Sequence, residues 1–261
     1  MTSADSSNGA RRPRIGPPER VGVWTGVALV ALLGGGFAVG GFIPPPGPGE
    51  SAAEIASHYR DNVDLRRIGV IMLILGGTLL IPFGGVISDQ LRRVEGIGAT
   101  ARLTQFGAAC VAAGLMMTFG SVLLVALMRP DFPDTTYQTL NSLSFMAWIG
   151  LWQPGALQAA ATAAAILSDR SETPVFPRWV GWYSAWMAFG SLMGSLIPFF
   201  THGPFAWNGF IGFFVAATPF FTWFLVMIYQ LRRNLARDEE PALTAVAIGD
   251  GAGVAERRAV T

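Results

Sequence analysis

The chain has 261 residues, 51% of them hydrophobic and only 13% charged, with a net charge of +1 and a mean hydropathy of +0.44. That is too apolar for an ordinary soluble domain of this length, and basic residues that are all arginine, set singly or in pairs at segment ends, argue against a nucleic-acid surface. The single cysteine, Cys110, lies in an apolar stretch, which excludes an internal disulfide framework, a cysteine-based metal site and, barring a partner, sulfur redox chemistry.

Residues 1–20 are rich in Ser, Asn, Gly and Pro around Arg11, Arg12, Arg14 and Arg20, and hold too few apolar side chains to fold alone. They are expected to form a disordered cytoplasmic tail. Residues 21–235 then read as an all-α membrane domain, a polytopic bundle of six transmembrane helices. Its apolar runs are Val21 to Ile43, Ile68 to Ser88, Leu103 to Met128, Leu143 to Ser168, Trp179 to Phe200 and Gly209 to Leu231. Each is long enough to cross about 30 Å of hydrocarbon at about 1.5 Å per residue. The first run is longer than the apolar core of a cleaved signal peptide. Residues 236–261 are expected to form a second disordered tail.

The first outer loop, Pro44 to Arg67, opens on a proline cluster and continues Ser51-Ala52-Ala53-Glu54. Ser followed three residues later by Glu is the spacing of a capping box, so a short helix should start there. Ala52, Ile55, Ala56 and Tyr59 fall on one face, which suits a helix lying in the headgroup region. Most arginines fall in the tails and in the loops with Arg92, Arg93, Arg102, Arg170 and Arg178, so these sides and both termini are expected to be cytoplasmic, in the cell (inner) membrane. Trp179, Trp182 and Trp186, and Trp207 on the other side, sit where aromatic interface anchors would.

The fourth run is the most informative. Its middle reads Trp148-Ile149-Gly150-Leu151-Trp152-Gln153-Pro154, and proline, with no amide to donate, breaks the helix at mid-membrane where Gln153 and Gln158 also place polar groups. Every Asp, Glu and Arg falls in a loop, a tail or a span end, and both histidines, His58 and His202, fall on the outer side. Coupled pumps and carriers hold moving charge on an ionisable group inside the membrane, so this argues against ion coupling. Clustered histidines for iron, facing histidines for haem, phosphate loops and zinc-helix motifs are missing, and no cofactor or metal is expected.

A cavity between helices is the functional reading of the small polar groups near mid-membrane, with Gln153, Gln158, Thr78, Thr118 and Ser191 as candidate ligand-binding residues. The competing reading is interhelical glue at about 1 kcal/mol per bond. Glu54, His58, His202 and Asn208 could line an outer mouth, with a histidine acting as acid or base near neutral pH, or could simply cap helices. Gly36 with Gly40, and Gly190 with Gly194, permit close helix contacts, inside the bundle or with a partner. The Gly22-x-Trp24-x-x-x-Ala28-Leu29-x-Ala31 pattern recurs from Gly150, and Leu80-Ile-Pro-Phe83 recurs at Leu196, as an inverted repeat of three plus three spans would require.

Three stretches, Pro44-Pro-Pro-Gly-Pro with Ser51-Ala-Ala-Glu-Ile-Ala, Phe176-Pro-Arg-Trp-Val-Gly-Trp-Tyr183 and Gly203-Pro-Phe-Ala-Trp-Asn-Gly209, resemble motifs of an uncharacterised, actinobacterial-type integral membrane family. The resemblance implies six spans and carries no activity or site residue. The expected function is an uncoupled carrier or binding protein for an apolar or lipid-like small molecule. The alternatives are a non-enzymatic scaffold subunit holding a membrane partner or a second copy, and a membrane enzyme for a lipid-like substrate. The expected partners are the lipid bilayer and a hydrophobic ligand, with no nucleic acid.

Overall fold

A computed structural model describes residues 17–258, with side chains described over 20–237. All regular structure among the described residues is helical: α1 (Pro17–Gly40), α2 (Ala52–Arg60), α3 (Val63–Thr78), α4 (Leu80–Leu91), α5 (Ala99–Met128), α6 (Asp134–Phe145), α7 (Gln153–Ser168), α8 (Arg178–Ser191) and α9 (Ala216–Arg258). The tail expected over 1–20 falls almost wholly outside the described residues. Past residue 237 the backbone continues α9, and nothing is described of its side chains.

Among the described residues, four helical stretches are long and apolar enough to cross a membrane: Arg20–Gly40, Val63–Leu91, Ala99–Met128 and Phe210–Arg237. They mark a membrane protein. The fourth and fifth expected runs are helical but interrupted. In the fourth, α6 passes through a π-helical turn, Met146–Gly150, and stops at Leu151 (φ −95°, ψ 57°) before α7 starts. In the fifth, α8 tightens into a 3₁₀ helix, Leu192–Phe199, that contains Pro198. A second π-helical turn, Phe210–Val215, leads into α9. The segments matched as an inverted repeat therefore have unlike backbones: Gly22 to Ala31 is plain α-helix, while Gly150 to Ala159 spans the break.

The closest helix pair is α1 on α3, and glycine permits it. A Cβ on Gly69 would lie 2.4 Å from the Gly40 nitrogen, and one on Gly36 would lie 2.8 Å from the Gly69 oxygen. The Gly36 and Gly40 pair is thus spent inside the bundle. From there α4 packs on α1 and α5, α5 on α7, α7 on α8, α8 on α9 and α9 back on α1, which closes the bundle.

At this same end of the α1–α3 pair, α2 carries the capping box that its sequence requires, with Ser51 and Glu54 each bonded to the other's backbone. Its apolar face does not meet headgroups. Ile55, Ala56 and Tyr59 are buried, because α2 docks on α6: Tyr59 stacks on Tyr137 and its hydroxyl donates to Asn141 at 2.7 Å. Trp207, expected as an interface anchor, is also buried, and donates to the Pro46 carbonyl at 2.8 Å. The same carbonyl accepts from the Asn141 amide. Trp179, Trp182 and Trp186 do stand exposed along α8.

Arg66 was assigned to the loop, yet it opens α3 and is buried at 7% exposure. Its guanidinium caps the end of α1 through the Gly40 carbonyl (2.8 Å), donates to the Asp61 carbonyl (2.8 Å) and lies 2.7 Å from His58 Nε2. A buried arginine is tolerable here because its donors find acceptors.

Candidate functional site

The three irregular segments meet around one cavity. Pro154 explains the first: with no amide hydrogen it cannot continue a helix arriving from α6, yet it fits the first turn of a new one, where the amides have no partner to lose. α7 accordingly starts at Gln153, and the Trp152 carbonyl takes up the Ala156 amide. The π turn before the break holds Trp148 in a sandwich between Phe37 of α1, at 4.4 Å between ring centroids, and Phe119 of α5, at 5.4 Å. Across from it Gly194, in the 3₁₀ helix, leaves room for Trp152; a Cβ there would lie 2.5 Å from the indole Cδ1. The second π turn is held by the Pro204 carbonyl, which accepts from the amides of Ile211 and Gly212.

The space between these segments and the middle of α5 is about 130 Å³, walled chiefly by Leu80, Met116, Trp148, Trp152, Phe213 and Phe220. Leu151, 44% exposed, marks its mouth. Among the described residues, no ionisable side chain lines it. Apolar cavities of about 150 Å³ stay dry and accept a benzene-sized group, so this one suits a ring or a few methylenes of a larger molecule.

Of the five mid-membrane candidates, only Ser191 lines this cavity, and its hydroxyl already donates to the Met187 carbonyl at 2.9 Å. Gln158 is buried one helical turn beyond Pro154. Gln153, Thr78 and Thr118 sit on outward faces, and the two threonine hydroxyls are satisfied by Ile74 and Gly114 of their own helices. The five do not converge. Spans apolar on every side give no phase to say which face points inward. The aromatic wall went unread for the same reason, although the Trp-Gln-Pro break pointed to it.

The outer candidates divide between two places. Glu54 is exposed and occupied by its cap. His58 is half-buried against Arg66, and burial, reinforced by the guanidinium charge and opposed by Asp61, pulls its pKa down to about 4. It is a neutral acceptor at pH 7, and the Arg66 guanidinium takes up its Nε2. His202 and Asn208 instead line a polar cavity of about 230 Å³ with Glu50, where Gly49 and Gly47 make room for their side chains. Glu50 is held there by the Gly47 amide at 2.6 Å. Among the described residues no three His, Cys, Asp or Glu side chains are grouped to hold a metal ion.

Gln158 belongs to a wider set of buried polar groups, of which Gln90, Gln105, Gln230 and Asn234 were passed over in the sequence because they lie near span ends. Gln90, Gln105, Gln158, Gln230 and Asn234 are all buried, and each has at least one amide nitrogen or oxygen with no hydrogen-bond partner among the described residues. Such an atom costs about 1–3 kcal/mol, and together these rival the whole stability of a domain, about 5–15 kcal/mol.

No protein-family model, no curated protein and no solved structure matches the chain.

Proposed function

We propose that the chain is a six-span integral membrane protein with both termini cytoplasmic, binding an apolar or lipid-like molecule in the cavity between α5, α7, α8 and α9, as an uncoupled carrier or binding protein. The interrupted fourth and fifth runs count as spans in this reading, and the bilayer is the surrounding partner. The same reading assigns the chain to the uncharacterised bacterial membrane family that its motifs resemble. The observation that supports it best is the cavity wall, which is aromatic and aliphatic, free of ionisable groups and built from backbone that departs from α-helix. Irregular backbone at membrane depth is tolerated where it is buried in protein or lines a cavity.

Gly155→Leu tests the reading. Gly155 lines the cavity and a Cβ there meets nothing within 4 Å, so a leucine side chain starts from open space at the cavity wall. A neutral single-chain lipid, 1-monooleoylglycerol, should stabilise the wild type in detergent, by about 2.7 kcal/mol at a hundred times its Kd. It should leave Gly155→Leu unshifted. Equal stabilisation of both proteins would place binding elsewhere.

The scaffold reading retains one observation. α8 exposes Trp182, Trp186 and Phe189 around Gly190, whose missing Cβ faces open space. If a membrane partner seats there, Gly190→Leu releases it from the purified complex; retention counts against a seam on α8.

A further inference from the structure

The unpartnered amides fall on the helices that wall the cavity, all displaced toward the same end of the bundle. On α7, Gln158 is one turn beyond Pro154. On α5, Gln105 is seven residues, and so about 10 Å, from Ala112 and on the same face. On α4, Gln90 is about 15 Å from Leu80, and on α9, Gln230 and Asn234 are about 15 and 21 Å from Phe220. Ala112, Pro154, Leu80 and Phe220 all line the cavity, while the amides are 6% exposed or less. They therefore descend in steps from the cavity floor toward the end that carries Arg92, Arg93, Arg102 and Arg170, inside a bundle where α4 packs against α5, α7 and α9.

Contacts tie segments together at both ends: at the arginine-flanked end Ser88 donates to the Arg102 carbonyl and Arg232 lies over the Trp24 ring. At the opposite end distant segments are latched: Pro46 to Asn141 and Trp207, Tyr59 to Asn141, Arg67 to the Leu127 carbonyl, and Arg60 to Asp134. At the arginine-flanked end, the unpartnered amide atoms would gain water as a partner where the helices part. We propose that Gln158, Gln105, Gln90, Gln230 and Asn234 line a route that hydrates on opening, along which an uncharged, hydrogen-bonding amphiphile reaches the cavity from the arginine-flanked side. Carboxamides donate and accept but bring no charge, and no ionisable group lines the cavity, so a charged head group would be desolvated there without a counter-charge. This rests on the cavity reading above.

The test uses the full chain with Cys110→Ser, reconstituted in vesicles of known orientation, and single substitutions Gln105→Cys, Gln158→Cys and Gln230→Cys. Leu33→Cys and Leu73→Cys, equally buried apolar positions in the other half of the bundle, serve as controls. A membrane-impermeant quaternary-ammonium methanethiosulfonate applied from the arginine-flanked side should label the three amide positions at least tenfold faster than the controls. 1-Monooleoylglycerol should slow that labelling at least fivefold, and oleate, its charged counterpart, should not. Rates equal to the controls, faster labelling from the opposite side, or equal protection by oleate would overturn the proposal. The three positions lie on different helices, so one that fails to fold leaves two to decide. The Gly155→Leu comparison is read separately: a lipid-stabilised cavity with unlabelled amides refutes the route alone, and labelled amides without lipid stabilisation refute the cavity alone.

Discussion

Gly69 is the position where the closest helix contact can be tested most sharply. A Cβ at this residue would stand 2.4 Å from the Gly40 nitrogen, 2.5 Å from its Cα and 2.7 Å from the Gly36 oxygen. All three are backbone atoms, so no side chain can turn aside, and α1 must move away from α3. That separation loosens the buried seam around Leu33, Val70 and Leu73. Overpacking of this kind costs about 1–3 kcal/mol, and a backbone clash puts Gly69→Ala at the upper end. The control is Gly107→Ala on α5, where a Cβ meets nothing within 4 Å and the alanine gains roughly 0.8 kcal/mol in helix propensity. Thermal or denaturant unfolding of both variants in one detergent should separate them by about 3 kcal/mol, with Gly69→Ala the weaker. If Gly69→Ala matches or exceeds Gly107→Ala, the α1–α3 contact is not the close one described.

Gly194→Leu should destabilise by about 1–3 kcal/mol because Trp152 fills the space beside it, whereas Gly190→Leu, one turn away, should be near neutral in the isolated chain; a melting comparison decides. Tyr59→Phe removes the donor to the buried Asn141 oxygen and should cost about 1–2 kcal/mol in equilibrium unfolding. The folded His58 pKa of about 4 lies below its ordinary 6.5, so the unfolded chain binds the proton first as pH falls. Its contribution is therefore complete above pH 6.5 and is lost between 6.5 and 4. It amounts to roughly 3 kcal/mol before, and about 1.5 after, allowance for solvent at the half-exposed ring. His58→Gln should flatten that part of the stability profile relative to wild type, and an unchanged slope would mean the histidine is not held neutral.

Sequence and structure agree where the signal is one of length or of a local bond. Uninterrupted apolar runs announced α1, the α3–α4 pair, α5 and the start of α9, and Ser51 with Glu54 announced α2. The break at Pro154 was also legible, since a missing amide has the same consequence in any context. What failed was facing. Thr78 and Thr118 were assigned to an interior because they lie near mid-depth, but each hydroxyl bonds its own helix on an outward face. Arg66 and Trp207 were read by type as loop and interface residues, and both are buried because distant backbone carbonyls accept their hydrogen bonds. Those carbonyls belong to Gly40 and Pro46, and nothing local in the sequence announces such pairings.

The most direct measurement is native mass spectrometry, with extraction and identification of bound molecules, on wild type and Gly155→Leu purified side by side in a mild detergent. One uncharged, largely apolar molecule should accompany the wild type in stoichiometric amount and be missing from Gly155→Leu. A wild type that carries nothing, or a molecule retained equally by Gly155→Leu, would contradict a ligand site in the cavity between Trp148, Trp152 and Phe220.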